Sequence, residues 1–325
     1  MLKVLLAAVL FAISILSSGA PARAQDAYPA KPVRMIVPFP PGGPADLIAR
    51  VMAQKLSEDL GKQFYIENQA GAGGNLGMTN AARSTADGYT ILFVSSSFVV
   101  NPSLYARKPY DPFKDFTPVT LAAKSPDILV VNESFPAKTV QEFVALAKAN
   151  PGKYSYAVPG IGTTPHLAGE VLKLRTGIQM QHIPFLGAGP AVQAILAGTV
   201  QVLVASQGGS VEAARASGQT LALAQTGAER SPDLPQVPTL GELGVADAVS
   251  ETFNALYAPA GTPAPIVERL AAAVLAVLAR PDVTQRYRTA GVPVVPEGAD
   301  GLKARVAREV PLWREVIRQA KIAVE

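Results

Sequence analysis

The chain of 325 residues has no cysteine and only two histidines, His166 and His182. Disulfides, cysteine nucleophiles, iron–sulfur clusters and Cys/His zinc sites are thereby excluded. The acids are scattered, with neither a D-x-D-x-D-G loop nor an H-E-x-x-H pair, so no metal is expected. No serine stands in a G-x-S-x-G elbow, and Asp87 and Glu170 are the only acids that suggest themselves as partners for a histidine base. No run of Lys and Arg tracks a phosphate backbone, which argues against nucleic acid as a partner. Beyond the N-terminus no apolar run spans a bilayer: the longest, Leu270 to Ala279, is closed by Arg269 and Arg280.

What is present begins with an address. Lys3 precedes Val4 to Leu16, an apolar stretch interrupted only by Ser14, and Ala22-Arg23-Ala24 reads as a small-x-small cleavage site. Residues 1–24 are therefore expected to be a signal peptide, with Gln25 as the mature N-terminus and the periplasm as destination. Removing Lys3 and Arg23 leaves 27 basic and 25 acidic residues, so the mature net charge is +2 rather than +4. With hydrophobic residues at 49% and charged ones at 17%, the mature chain has ample material for a core in each of two domains.

Strand-like and helix-like segments alternate through that chain. Val33–Val37, Phe64–Ile66, Tyr89–Val94, Asp127–Val131, Tyr154–Val158, Val200–Ala205 and Leu221–Thr226 read as strands. Helices are marked by Pro44, by the Thr139-x-x-Glu142 capping box, by Thr164-Pro165 and by Thr262-Pro263. The last helix carries Val306, Val310, Trp313 and Ile317 on one stripe, which places Trp313 in the core. This alternation means an α/β fold with mostly parallel sheets, and 107–118 reads as a surface crossing.

Three glycine-rich turns join strand to helix. They are Gly42-Gly43-Pro44-Ala45-Asp46, Gly160-Ile161-Gly162-Thr163-Thr164-Pro165, and Gly187-Ala188-Gly189-Pro190. Each offers backbone N–H groups at a helix N-terminus, a device suited to an anion such as a carboxylate. A plain strand-to-helix turn explains any one of them; a jointly built anion pocket explains all three. Gly71-Ala72-Gly73-Gly74-Asn75-Leu76-Gly77 sits in the context of a dinucleotide fingerprint, but Leu76 stands where glycine is needed. No cofactor is expected.

In order and spacing, these pieces resemble the Bug-type receptors of tripartite tricarboxylate transporters. The resemblance rests on Pro38-Phe39-Pro40-Pro41-Gly42-Gly43 with Asp46, Asn68-Gln69-Ala70-Gly71-Ala72-Gly73-Gly74 with Gly77, Asp87-Gly88-Tyr89-Thr90 and Tyr110-Asp111-Pro112 through Val119. Further along it rests on Gly162-Thr163 with His166, Leu167 and Glu170, Pro184-Phe185-Leu186-Gly187, Thr226-Gly227 with Arg230-Ser231-Pro232, and Gly261-Thr262-Pro263. It implies a type II periplasmic binding-protein fold, with residues 25–125 plus 250–325 as one domain and 126–249 as the other. It also implies a small organic acid bound in the cleft between them, without catalysis, for delivery by a monomer to inner-membrane permease subunits, with a sensor kinase as a further partner. The candidate ligand-binding residues are Phe39, Pro41, Gly42, Gly43, Asp46, Ser95, Ser97, Gly162, Thr163, Thr164, Phe185, Gly187, Ala188 and Ser206. Where such receptors often carry a tyrosine this chain has Phe185, and where they often end a strand on an acid it has Ala205-Ser206. The alternative is an exported α/β enzyme such as a hydrolase. It is disfavoured because these loops offer almost no titratable group.

Overall fold

A computed structural model describes residues 28–322 except Arg107 and Asp247. The signal-peptide segment and the expected start at Gln25 lie outside the described residues.

The first elements are β1 (Val33–Val37), α1 (Pro44–Leu60), β2 (Phe64–Asn68), α2 (Asn75–Ala82), β3 (Thr90–Ser95) and α3 (Ser97–Leu104). Pro44 begins α1 where a helix has no use for an N–H, and Gly61, in the left-handed region at φ 67°, ends it. The long strand β4 (Phe116–Asn132) follows, then α4 (Val140–Ala149), β5 (Ser155–Val158), α5 (Thr164–Thr176), β6 (Gln181–Pro184) and α6 (Ala188–Leu196). The capping box of Thr139 and Glu142 forms at the start of α4 as its spacing predicts. The chain continues through β7 (Val202–Ser206), α7 (Gly209–Ala216), β8 (Thr220–Gln225), β9 (Glu251–Pro259), α8 (Ala264–Leu278), α9 (Pro281–Thr289), β10 (Val294–Gly298) and α10 (Ala299–Gln319).

Neighbouring strands run in the order β2-β1-β3-β9-β4-β7-β5-β6, with β8 and β10 also paired to β4. Pairing is parallel within β2-β1-β3 and within β7-β5-β6. Strand β9 runs against β3, β4 runs against β7, and β4 and β9 run against each other. The sheet is therefore mixed rather than mostly parallel, because the connecting strands oppose the βα units they join. Strand β4 makes the passage: Phe116–Pro126 pairs with β9, whereas Asp127–Asn132 pairs with β7 and β8. The chain comes back at Ser250, whose amide donates to Thr226 O, and enters β9.

The expected surface crossing over 107–118 needs correction at its end. Residues 116–118 belong to β4, and Tyr110 and Phe116 are buried. Both join an aromatic cluster in which Phe98 stacks on Tyr257 at 4.2 Å and on Tyr110 at 5.3 Å. The intervening acids explain the polar look of the segment. Asp111 accepts from the Phe113 amide, and its own amide donates to Asp115, so the acids tie the turn that delivers the rings inward.

Trp313 is buried on the stripe of α10, which packs against α3 and β4 and also reaches α5. Helix α8 covers β4 beside α1, through Leu270, Val274 and Val277. No helix among the described residues is long and apolar enough to cross a membrane.

Two glycines at similar dihedrals show where close approach matters. Gly291, at φ +74°, lies against the β7–α7 turn, and a Cβ there would stand 2.2 Å from Gly208 Cα. Gly244, at φ +83°, has open space around it. Both pay the left-handed penalty on substitution, about 1 kcal/mol, but only Gly291 adds a backbone clash. Gly291→Ala should therefore lower the urea midpoint clearly more than Gly244→Ala, and equal midpoints would contradict this packing.

Candidate functional site

The parallel strand sets place their C-terminal ends, and the helix N-termini that follow, toward the crossing made by β4 and β9. From one side come the turn after β1, with Gly42 and Gly43, and the end of β3 at Ser95–Ser97. From the other come the turns after β5, β6 and β7, carrying Gly162–Thr164, Phe185–Ala188 and Ser206.

Asp127 lies between these groups, directly opposite Ser206 in the β4–β7 ladder. It is fully buried. Its Oδ1 accepts from Ser206 Oγ at 2.8 Å and Thr252 Oγ1 at 3.1 Å, and its Oδ2 accepts from Ser250 Oγ at 2.8 Å. Its amide donates to Thr226 Oγ1 at 2.9 Å. Thr252 Oγ1 also lies 2.6 Å from Ser206 Oγ and 2.7 Å from Thr164 Oγ1. Thr164 Oγ1 is 3.2 Å from Ser96 Oγ, which accepts from the Phe253 amide. A continuous hydroxyl chain thus runs from the N-terminus of α3, through that of α5, to the end of β7. Burial pushes the Asp127 carboxyl up to about 6, against the lowering effect of the Ser206, Ser250 and Thr252 hydroxyls.

The glycine turns are more self-contained than their sequences suggest. The Gly42 amide donates to Asp46 Oδ2 at 2.9 Å. Asp46 is itself buried, and Arg50 Nε (2.9 Å) and Asn68 Nδ2 (2.8 Å) complete its shell. Burial raises the Asp46 pKa, but the bonds from Arg50, Gly42 and Asn68 outweigh it and hold the group below its ordinary value. Asp46 therefore shapes the first turn from within. In the second turn the Gly162 amide donates to His166 Nδ1 at 3.1 Å and the Thr163 amide to Gly160 O at 3.4 Å. Thr163 Oγ1 caps α5 at His166 N. In the third, the Gly187 amide donates to Pro159 O. The next donors in lie inside the helices: α1 offers Ala45 as its first N–H, because Pro44 has none, and α5 offers Thr164 before Pro165.

Phe39 and Phe185 are half-buried, Pro41 and Gly42 exposed, and Gly43, Ser95, Ser97, Gly187, Ala188 and Ser206 partly exposed. Ser95 Oγ lies 3.4 Å from Ser97 Oγ. Sequence reasoning missed Asp127, Thr252, Ser250 and Ser96, which form the chain itself. It also missed Leu186, an apolar side chain that is 99% exposed beside Phe185. Only the lone acid at the start of the Asp127–Val131 apolar run was a signal.

The two histidines do come together, with Glu170. His166 Nε2 lies 3.9 Å and His182 Nδ1 3.4 Å from Glu170 Oε1. Such a trio can be imagined around a metal ion, but its protons are placed against one. His166 Nδ1 accepts from Gly162, so Nε2 carries the ring proton and has no lone pair for a metal. The Glu170 oxygens already accept from Tyr156 at 2.7 Å and Lys173 at 2.8 Å. Burial, then the neighbouring His182, lowers the His166 pKa to about 4, so it stays neutral and braces the second turn.

The family model described as tripartite tricarboxylate transporter family receptor matches residues 48–322. The chain belongs to this receptor family. BugT of Bordetella pertussis is 37% identical over 317 residues, covering 97% of each chain. An R. palustris protein solved with adipate superposes with a TM-score of 0.79 at 32% identity, over 91% of this chain and 99% of its own. MatC from Rhodopseudomonas palustris with bound malate gives 0.76 at 31% identity, over 89% and 100%. This receptor has the two-domain α/β solute-binding fold of those neighbours.

Because the folded-state pKa of Asp127 is raised, burying its charge costs stability. The cost is absent below its ordinary pKa and complete above about 6. Relative to Asp127→Asn, the wild type should lose up to about 3 kcal/mol of unfolding free energy between about pH 4 and 7. Urea unfolding of both across that range checks this, and a difference independent of pH would contradict the raised pKa.

Proposed function

We propose that the protein is a periplasmic receptor, without catalytic activity, that captures one small organic acid per monomer and delivers it to the membrane subunits of a tripartite transporter. The observation that carries this reading is the contact between two helix N-termini, one from each strand set, where Ser96 before α3 meets Thr164 of α5 beside the crossing. Each brings N–H groups and a positive dipole end, and no Lys or Arg lies in the three glycine turns. Adipate and malate in the related structures are acids of the class such a site suits. The lobes are residues 25–125 with 250–325 and residues 126–249, closing about the passages at Pro126 and Ser250. Phe39 and Phe185 wall the cleft, and the Gly43 turn, Thr164 and Ala188 supply amides. Cleavage after Ala24 releases the mature chain for its work.

A hydrolase reading needs a nucleophile beside a base. Here the serine and threonine hydroxyls at the crossing bond one another and Asp127, while His166 bonds the Gly162 amide. That distribution favours the receptor.

Two or three charge-assisted bonds at ~1.5–3 kcal/mol each, less ordering costs, correspond to micromolar affinity. Gly43 provides the test, since its φ of −75° is ordinary and a Cβ there meets nothing nearer than Pro40 O at 3.8 Å. Gly43→Val should fold normally yet bind at least tenfold more weakly to whichever of malate, succinate or adipate the wild type prefers by calorimetry. Wild-type affinity in that variant would move the site elsewhere.

A further inference from the structure

The hydroxyl chain at the crossing has a direction, set by its one anion. Each serine or threonine hydroxyl has a single proton to give. An ionised Asp127 can only accept, so Ser206 and Ser250 turn their protons inward to it. Thr252 gives its proton to Asp127 or to Ser206, both on the inner side. Thr164 then donates to Thr252, and Ser96, already holding the Phe253 amide proton, donates to Thr164. Asp127, Ser96, Thr164 and Ser250 are buried, whereas Ser206 and Thr252 are partly exposed. The open edge of the chain therefore presents lone pairs, not protons.

A bare carboxylate cannot rest on such an edge, because oxygen would meet oxygen with no proton between them. A donor can. We propose that Asp127 sets the chemistry of the captured acid: its amide-bound carboxylate is accompanied by a hydroxyl group, which donates to the Ser206–Thr252 edge. This deepens the receptor reading above and rests on it. Asp127 acts through Ser206 and Thr252, so it is a positioning residue. It also supplies from β4 the acid that β7, ending Ala205-Ser206, does not carry, one strand over and in register. An ammonium group suits this edge less well than a hydroxyl. It brings three protons and a charge out of water, and the oxygens of Asp127 are shielded behind three hydroxyls.

Matched pairs of acids test this: succinate against malate, adipate against 2-hydroxyadipate, and propionate against lactate, with aspartate alongside malate. Calorimetry on the full mature protein should show the hydroxylated member of at least one pair binding about tenfold tighter. Asp127→Asn has nearly the same shape but must point an N–H at one of the hydroxyls, which turns that proton outward. Ser206→Ala removes one of the two acceptors of the edge and leaves Asp127 in place. In both variants the preference should fall several-fold, toward one, while the plain acid still binds, a change in ratio that a merely structural role would not produce. Should Asp127→Asn fail to fold, the ratio in Ser206→Ala decides. Equal or tighter binding of the plain acid in every pair would overturn the proposal, as would a preference that survives the substitutions or aspartate outbinding malate. If no acid of any pair binds the wild type, the carboxylate-receptor reading itself falls.

Discussion

A carboxylate removed from water needs donors for its oxygens, and an uncompensated one costs several kcal/mol. Asp127 meets that need with hydroxyls drawn from across the chain: Ser206 from β7, and Ser250 and Thr252 from the return passage into β9. Those residues lie 79, 123 and 125 positions away in sequence. The bonds therefore form only if both passages between the strand sets are correctly placed, and they tie the crossing together at its centre. The same bonds reach Thr164 and Ser96, the hydroxyl residues at the starts of α5 and α3. Placement of these helix starts and placement of the passages are one arrangement.

The glycine turns around this centre are shaped by their own side chains. Asp46, His166 and Thr163 each take up a backbone donor within a few residues of themselves. These short-range bonds fix the turns by themselves, and a contact made to an already ordered turn costs little loop entropy. Neutral His166 and salt-bridged Glu170 form the support of the second turn, which gives this buried ionisable cluster a structural role.

Much of the fold was legible because its signals are local. Pro44, the Thr139–Glu142 box and Thr164-Pro165 each mark a helix start by backbone chemistry alone. The mixed sheet was not legible, because β4 and β9 owe their direction to partners far along the chain. The length of β4 was hidden too: Pro118, Lys124, Ser125 and Pro126 break its apolar run, yet all lie in the strand. The glycine turns were found from sequence, since they recur in a pattern with a mechanism. Asp127, Ser250 and Thr252 were not, since a lone acid at a strand start has a hundred readings until its register partner is known. The free amides expected at Gly42 and Gly162 turn out to be bonded to Asp46 and His166, a consequence of side chains folding back four residues along α1 and α5.

The central claim is that one small acid sits at this crossing, between the two strand sets. A crystal structure of the protein with a bound organic acid measures it directly. The account predicts a carboxylate within hydrogen-bonding distance of amides at the starts of α1 and α5, with Ser206 and Thr252 lining its far side. An acid bound elsewhere, for example in the groove between α5 and α10 beside Leu174 and Leu312, would contradict it.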